Sequence, residues 1–210
     1  MISGTRLDVS ATGEVTRIPD LAIVSAGVQT LQPSASAAIE ENAGKMERVR
    51  AALKHAGIED RDIQTSSINL NPEYQYDQNR PPRLTGYRAT NTVNVKFRDL
   101  KRTGAILDAL VAEGANQING PSLTIDKPEA ALDEARTKAI ANGRARADLY
   151  ARALGMRVVR LISVSEGGGY NVPPPMPVAM MAERSSDASS KIDPGTQQLQ
   201  VNVSMSFELQ

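Results

Sequence analysis

The chain has 210 residues, with 24 Lys and Arg against 24 Asp and Glu, 40% hydrophobic residues, 3% aromatics and no cysteine. That length supports one substantial core or two small ones. The balanced charge provides no field to draw in nucleic acid or an anionic membrane. Absence of Cys excludes disulfides, thiolate metal sites, Fe–S clusters and cysteine nucleophiles, and no apolar run reaches the roughly 18 residues a spanning helix needs.

The chain opens Met1-Ile2-Ser3-Gly4-Thr5 and passes at once into strand-like sequence, with no basic stretch followed by an apolar one. This predicts a cytosolic protein, or one from which a signal peptide has been removed. Strand patterns read over Thr5–Ala11 and Val15–Val28. A helix is predicted over Ser34–Ala56, where Ile39, Met46 and Leu53 recur every seven residues with Ala43, Val49 and Ala56 beside them. Ser34 or Ser36 can cap its start, and Gly57 is placed to end it. Strands follow over Ile63–Leu70 and Tyr87–Phe97. In the second of these, Tyr87, Ala89, Val93, Val95 and Phe97 alternate with Arg88, Thr90, Thr92, Asn94 and Lys96.

A second helix is predicted over Leu100–Glu113, capped by Asp99 and stopped at Gly114, with Leu100, Leu107 and Leu110 on one side. Ile118–Ile125 reads as a strand whose Pro121 marks an edge or a late start. The third helix runs from Pro128 to Leu154 and stops at Gly155. Val158–Ser165 and Gln198–Leu209 complete the strands. The order gives two strand–helix–strand–strand units, about 15–97 and 118–209, whose last strands both contain Val-Asn-Val. Long insertions fall between the last two strands of each unit, at 72–86 and 166–195. The expected fold class is α+β: a mixed, largely antiparallel sheet with the long helices packed on one face.

The chemistry-bearing residues are few. His55, the single histidine, sits in the last turn of a helix, where a cation is favoured on the surface. One His and no Cys leave no triad, no dyad and no multi-His metal site. Glu40-Glu41, Glu59-Asp60 and Asp133-Glu134 are adjacent pairs, and adjacent helical residues point apart. Gly167-Gly168-Gly169 leads into proline rather than a helix, so it cradles no phosphate. The basic residues of the third helix (Arg136, Lys138, Arg144, Arg146, Arg152) are interleaved with acids and read as a solvated face. Thioethers at Met176, Met180 and Met181 suit Cu(I), but without a His or Cys partner they fit packing against a partner, or a disordered segment, better. No cofactor, metal or catalytic residue is predicted. Tyr74, Tyr76, Tyr87 and Tyr170, with Met176, Met180 and Met181, are the candidate contacts for a ligand or partner.

One series of short motifs runs the length of the chain: Gly57-Ile58, Asp62-Ile63-Gln64-Thr65, Leu70-Asn71-Pro72-Glu73-Tyr74 and Gly86-Tyr87-Arg88-Ala89 with Asn91, Val93 and Val95. Gly114-Ala115-Asn116, Ile118, Gly120, Ala135-Arg136, Lys138-Ala139 and Leu154-Gly155 continue it. In this the chain resembles the SIMPL-domain family, also called the 26 kDa periplasmic immunogenic protein family, across about 7–207. The resemblance implies export to the periplasm or the outer-membrane side, a link to envelope stress tolerance, and self-assembly into homo-oligomers larger than a dimer, some channel-like. It carries no catalytic residues. Read physically, its motifs are helix stops, turns and core positions, which specify a fold rather than an active site. Three readings follow: a self-assembling envelope protein with itself or another envelope protein as partner; a periplasmic binder of a small ligand or peptide, using a groove between the sheet and the insertions; and an enzyme using carboxylates distant in sequence.

Overall fold

The computed structural model describes residues 4–77, 81–167 and 193–210. In chain order its elements are β1 (Thr5–Arg17), β2 (Leu21–Gln32), α1 (Ala35–His55), β3 (Ile63–Gln75), β4 (Arg83–Phe97), α2 (Leu100–Ala112), β5 (Gln117–Thr124), α3 (Glu129–Ala153), β6 (Val158–Glu166) and β7 (Gln197–Leu209). A single 3-10 turn at Asp60–Asp62 leads into β3. The α+β class holds, but the strands form two sheets rather than one, ordered β1-β7-β6 and β3-β4-β2-β5. Every ladder among the described residues is antiparallel.

Pro19 accounts for one difference from the sequence pattern. The run Val15–Val28 alternates well enough to read as one strand, yet Pro19 has no N–H for a ladder and restricts Ile18 before it. The strand therefore breaks: Val15 pairs with Leu199 in one sheet, and Val24 pairs with Val95 in the other. The second difference concerns β5. It does not open the second strand–helix–strand–strand unit but pairs with β2, and β1 takes the vacated place beside β7.

The chain divides into two compact units, one holding Asp20–Thr124 and the other the segments 4–19, 125–167 and 195–210. In the first, α1 buries Ala38, Met46, Val49 and Leu53 against Val24, Val28, Val93 and Val95 on one sheet face. Ser34 caps α1 by accepting from the Ala37 N–H, and Gly57 ends it at φ 86°. The buried stripe keeps Met46 and Leu53 of the sevenfold row and departs from it in the first turns. Ile39 is exposed, and its expected place is taken by Asn42. The Asn42 amide donates to the Val28 and Ala89 carbonyls at 2.8 and 3.1 Å, tying α1 to β2 and β4 together. α2 adds Ile106 and Leu110 to this core.

In the other unit α3 lies on β1 and β7, burying Ala131, Leu132, Ala135, Ala139 and Ala147 against Val9, Ala11, Val15, Val201, Val203 and Met205. Alanines bury little area each, so the contact must be close to be worth much. Two glycines permit it. A Cβ on Gly13 would stand 1.9 Å from the Ala135 carbonyl oxygen, and one on Gly143 would stand 1.8 Å from the Met205 methyl.

Surface ion pairs set an acid dependence. Hydrogen bonds from Lys138 and then Arg17 hold the Glu134 carboxyl below its ordinary range, and those from Lys45 and Gln32 do the same for Glu41. A carboxyl depressed by folding stabilises the fold above its unfolded pKa, and that contribution is lost as pH falls through the folded value. The urea midpoint is therefore expected to be flat above about pH 5 and to fall below it. The double variant Glu41→Gln/Glu134→Gln should show a shallower fall. An unchanged slope would mean these pairs do not couple folding to pH.

Candidate functional site: an apolar hairpin arm

β4 pairs with β2 from Phe97 back to Tyr87, where β2 ends at Gln32. Beyond that point β4 pairs only with β3, with Glu73 opposite Gly86, Tyr74 opposite Leu84 and Gln75 opposite Arg83. The segment expected to be an inserted loop at 72–86 is thus largely a two-stranded arm that prolongs the sheet. Its polar side is well tied. Glu73 pairs with Arg88, the Thr85 hydroxyl donates to the Glu73 carbonyl at 2.9 Å, and Arg83 donates to the Gln75 side-chain oxygen at 3.2 Å.

The opposite face is apolar. Residues facing each other across an antiparallel ladder share a sheet face, so Ile68, Leu70, Pro72 and Tyr74 of β3 lie on the side of Asn91, Ala89, Tyr87 and Leu84. Ala89 is buried on the face that α1 packs against, but α1 does not reach the rim. Ile68 is 71% exposed, Leu70 38%, Tyr74 45% and Leu84 44%. A two-stranded hairpin is marginal in water by itself, and this one carries a row of uncovered hydrocarbon. Of the residues expected to make contacts, the structure brings Tyr74 and Tyr87 onto this strip, and Tyr76 follows it, 76% exposed. Tyr170, Met176, Met180 and Met181 lie outside the described residues. Ile68, Leu70 and Leu84 were missed. Ile68 and Leu70 were visible only as alternate apolar positions of a strand, with nothing to say that no helix would cover them.

A cleft of about 220 Å³ in the same unit is lined by Ile58, Asp62, Phe97, Arg98, Arg102 and Ile106. Asp62 is buried, its carboxylate paired with Arg98 at the cleft wall. Tyr74, Tyr76 and Tyr87 do not line this cleft. His55 is exposed in the last turn of α1. Among the described residues no group of three or more His, Cys, Asp or Glu is placed to hold a metal, and no helix is long and apolar enough to cross a membrane.

A family model, SIMPL, described as a protein of unknown function (DUF541), matches residues 7–207. The chain belongs to this family. It is 37% identical over 214 residues to the 26 kDa periplasmic immunogenic protein of Brucella melitensis, covering 97% of this chain and 84% of that one. It is 30% identical over 161 residues to the uncharacterized protein YggE of Edwardsiella ictaluri, covering 77% of this chain and 67% of the relative. With YggE of Escherichia coli K12 the identity is 28% over 188 residues, covering 90% and 76%. The SIMPL match takes in both sheets and the whole arm, from β1 through β7.

Proposed function

We propose that this SIMPL protein is a periplasmic, non-catalytic protein that works by association, self-assembling beyond a dimer at the outer-membrane side of the envelope and contributing to envelope stress protection. The observation that carries the reading is the arm, where Ile68, Leu70, Tyr74 and Leu84 stay exposed on a face continuous with the core. Covering them removes apolar area from water at about 25 cal/mol per Å². The name of the Brucella relative supports the periplasmic location.

Light scattering on the intact chain tests the reading. The expected result is a mass above twice 22.5 kDa. A mass of 22.5 kDa that does not rise with concentration would overturn it. The variant Tyr74→Ser/Leu84→Ser changes only exposed side chains and is expected to weaken association by about tenfold or more, roughly 1.4 kcal/mol per tenfold. Wild-type association in that variant would remove the arm from the interface. A second reading, a small-ligand or peptide binder, rests on the Asp62–Arg98 cleft. Its volume lies below the roughly 300–1,000 Å³ of drug-sized pockets, so it suits a side chain or a small polar molecule.

A further inference from the structure

α3 carries five basic residues, and four of them are held within the chain. Arg136 pairs with Asp133 and Glu166, and Lys138 with Glu134. Arg146 donates to the Ser10 carbonyl at 2.6 Å and Arg152 to the Asp148 carbonyl at 3.3 Å. Arg144 makes no hydrogen bond or ion pair among the described residues, and the carboxylate of Asp148, one turn further on, does not reach it.

Arg144 also lines a cleft. The alanines and glycines of α3 draw the helix down onto β1 and β7, and β6 lies beyond its reach. Between them is left a space of about 220 Å³. Buried Met205 and Phe207 form its floor, with Ile140 of α3 on one side and Val158 and Leu161 of β6 on the other. Ile140 and Leu161 are each 46% exposed. The other charged residue at the cleft, Arg160, is neutralised by Glu208 at 2.6 Å. Among the described residues no acid, hydroxyl or amide side chain lines the space. It combines hydrocarbon with one uncompensated cation.

We propose that this cleft binds an aliphatic carboxylate, its chain lying between Ile140 and Leu161 over Met205 and Phe207, and its head reaching Arg144. Charge and size select this occupant. A carboxylate meets the planar guanidinium fork with two parallel hydrogen bonds, and its single charge is what one unpaired arginine neutralises. A phosphate monoester brings close to two charges at neutral pH. An ammonium finds no acid here, and a sugar or peptide finds no polar side chain but arginine. The volume lies below the roughly 300–1,000 Å³ of drug-sized pockets, which suits one short chain and not the paired chains of a membrane lipid. Met205, unbranched and adaptable, can reshape the floor around that chain.

Methyl NMR on the full chain, titrated with octanoate below its micelle concentration, tests the site. The Met205 methyl, assigned with Met205→Leu, is expected to shift saturably, while that of Met46, buried in the other core, stays in place. Hexanoate should bind roughly tenfold more weakly for its two fewer buried methylenes. Octan-1-ol should also bind about tenfold more weakly, for want of a charge-assisted hydrogen bond. Arg144→Gln should lower octanoate to the affinity of the alcohol, with the alcohol's own affinity and the far-UV spectrum unchanged. A Met205 methyl that octanoate leaves unmoved overturns the site. Octan-1-ol or octyl phosphate bound as tightly as octanoate, or a folded Arg144→Gln that keeps wild-type affinity for octanoate, overturns the carboxylate assignment. If Arg144→Gln does not fold, the comparison of the three ligands on the wild-type chain decides.

Discussion

Gly13→Ala is expected to be the most damaging single substitution in the unit built on β1, α3, β6 and β7, costing about 3 kcal/mol or more. The new methyl would meet the Ala135 carbonyl oxygen at 1.9 Å and the Ala139 amide nitrogen at 2.5 Å, both of them backbone. Neither atom can swing aside, so β1 has to lift from α3 and the alanine-lined contact loosens along its length. Gly143 is the control. A methyl there meets the end of the Met205 side chain, which has other rotamers. Alanine also gains about 1 kcal/mol of helix propensity over glycine. Gly143→Ala should therefore cost about 1 kcal/mol net. Urea denaturation of the two variants side by side checks the order, and a smaller loss for Gly13→Ala than for Gly143→Ala would show that strand and helix are not in backbone contact at Gly13.

Asn42→Leu is expected to cost about 2–3 kcal/mol in the unit spanning Asp20–Thr124. The replacement keeps the volume and removes both donations, to Val28 on β2 and Ala89 on β4, from a residue 4% exposed. Ile39→Ala, one turn away and facing solvent, should stay within about 0.5 kcal/mol. Thermal unfolding followed by circular dichroism measures both. A neutral Asn42→Leu would mean that apolar packing alone holds α1 to the sheet.

That pair of residues also shows where sequence reasoning succeeds and where it stops. The helix limits were legible because their punctuation is local: Ser34 and Asp99 cap, and Gly57, Gly114 and Gly155 take the positive φ that ends each helix. The alternation of β4 and β7 was legible for the same reason. The facing side of α1 was legible at Met46, Val49 and Leu53, but not in its first turns, where Ile39 is exposed and the polar Asn42 is buried because its two acceptors lie 14 and 47 positions away. Strand partners were likewise out of reach. Nothing local in Gln117–Thr124 distinguishes pairing with β2 from service as the first strand of a new unit. The tyrosines on the arm were found because aromatic residues are scarce here, whereas Ile68 and Leu84 become notable only once the end of β2 at Gln32 is known.

The exchange of β5 for β1 has a consequence for the order in which the protein can be completed. The ladders that join β2, β3, β4 and β5 all lie within Asp20–Thr124, so they can close as soon as β5 has been synthesised. The other unit has to wait. Its first strand pairs with its last, the Gly4 amide donating to a Glu208 carboxylate 204 residues further on. Until β7 arrives, β1 and α3 share an apolar surface that nothing closes, and joining them to β7 requires the longest loop closure in the molecule. The early unit is then a folded weight carried between the halves of an unfinished one. The interval before β7 arrives is when the exposed apolar surface and unpaired strand edge leave this chain most open to misassembly.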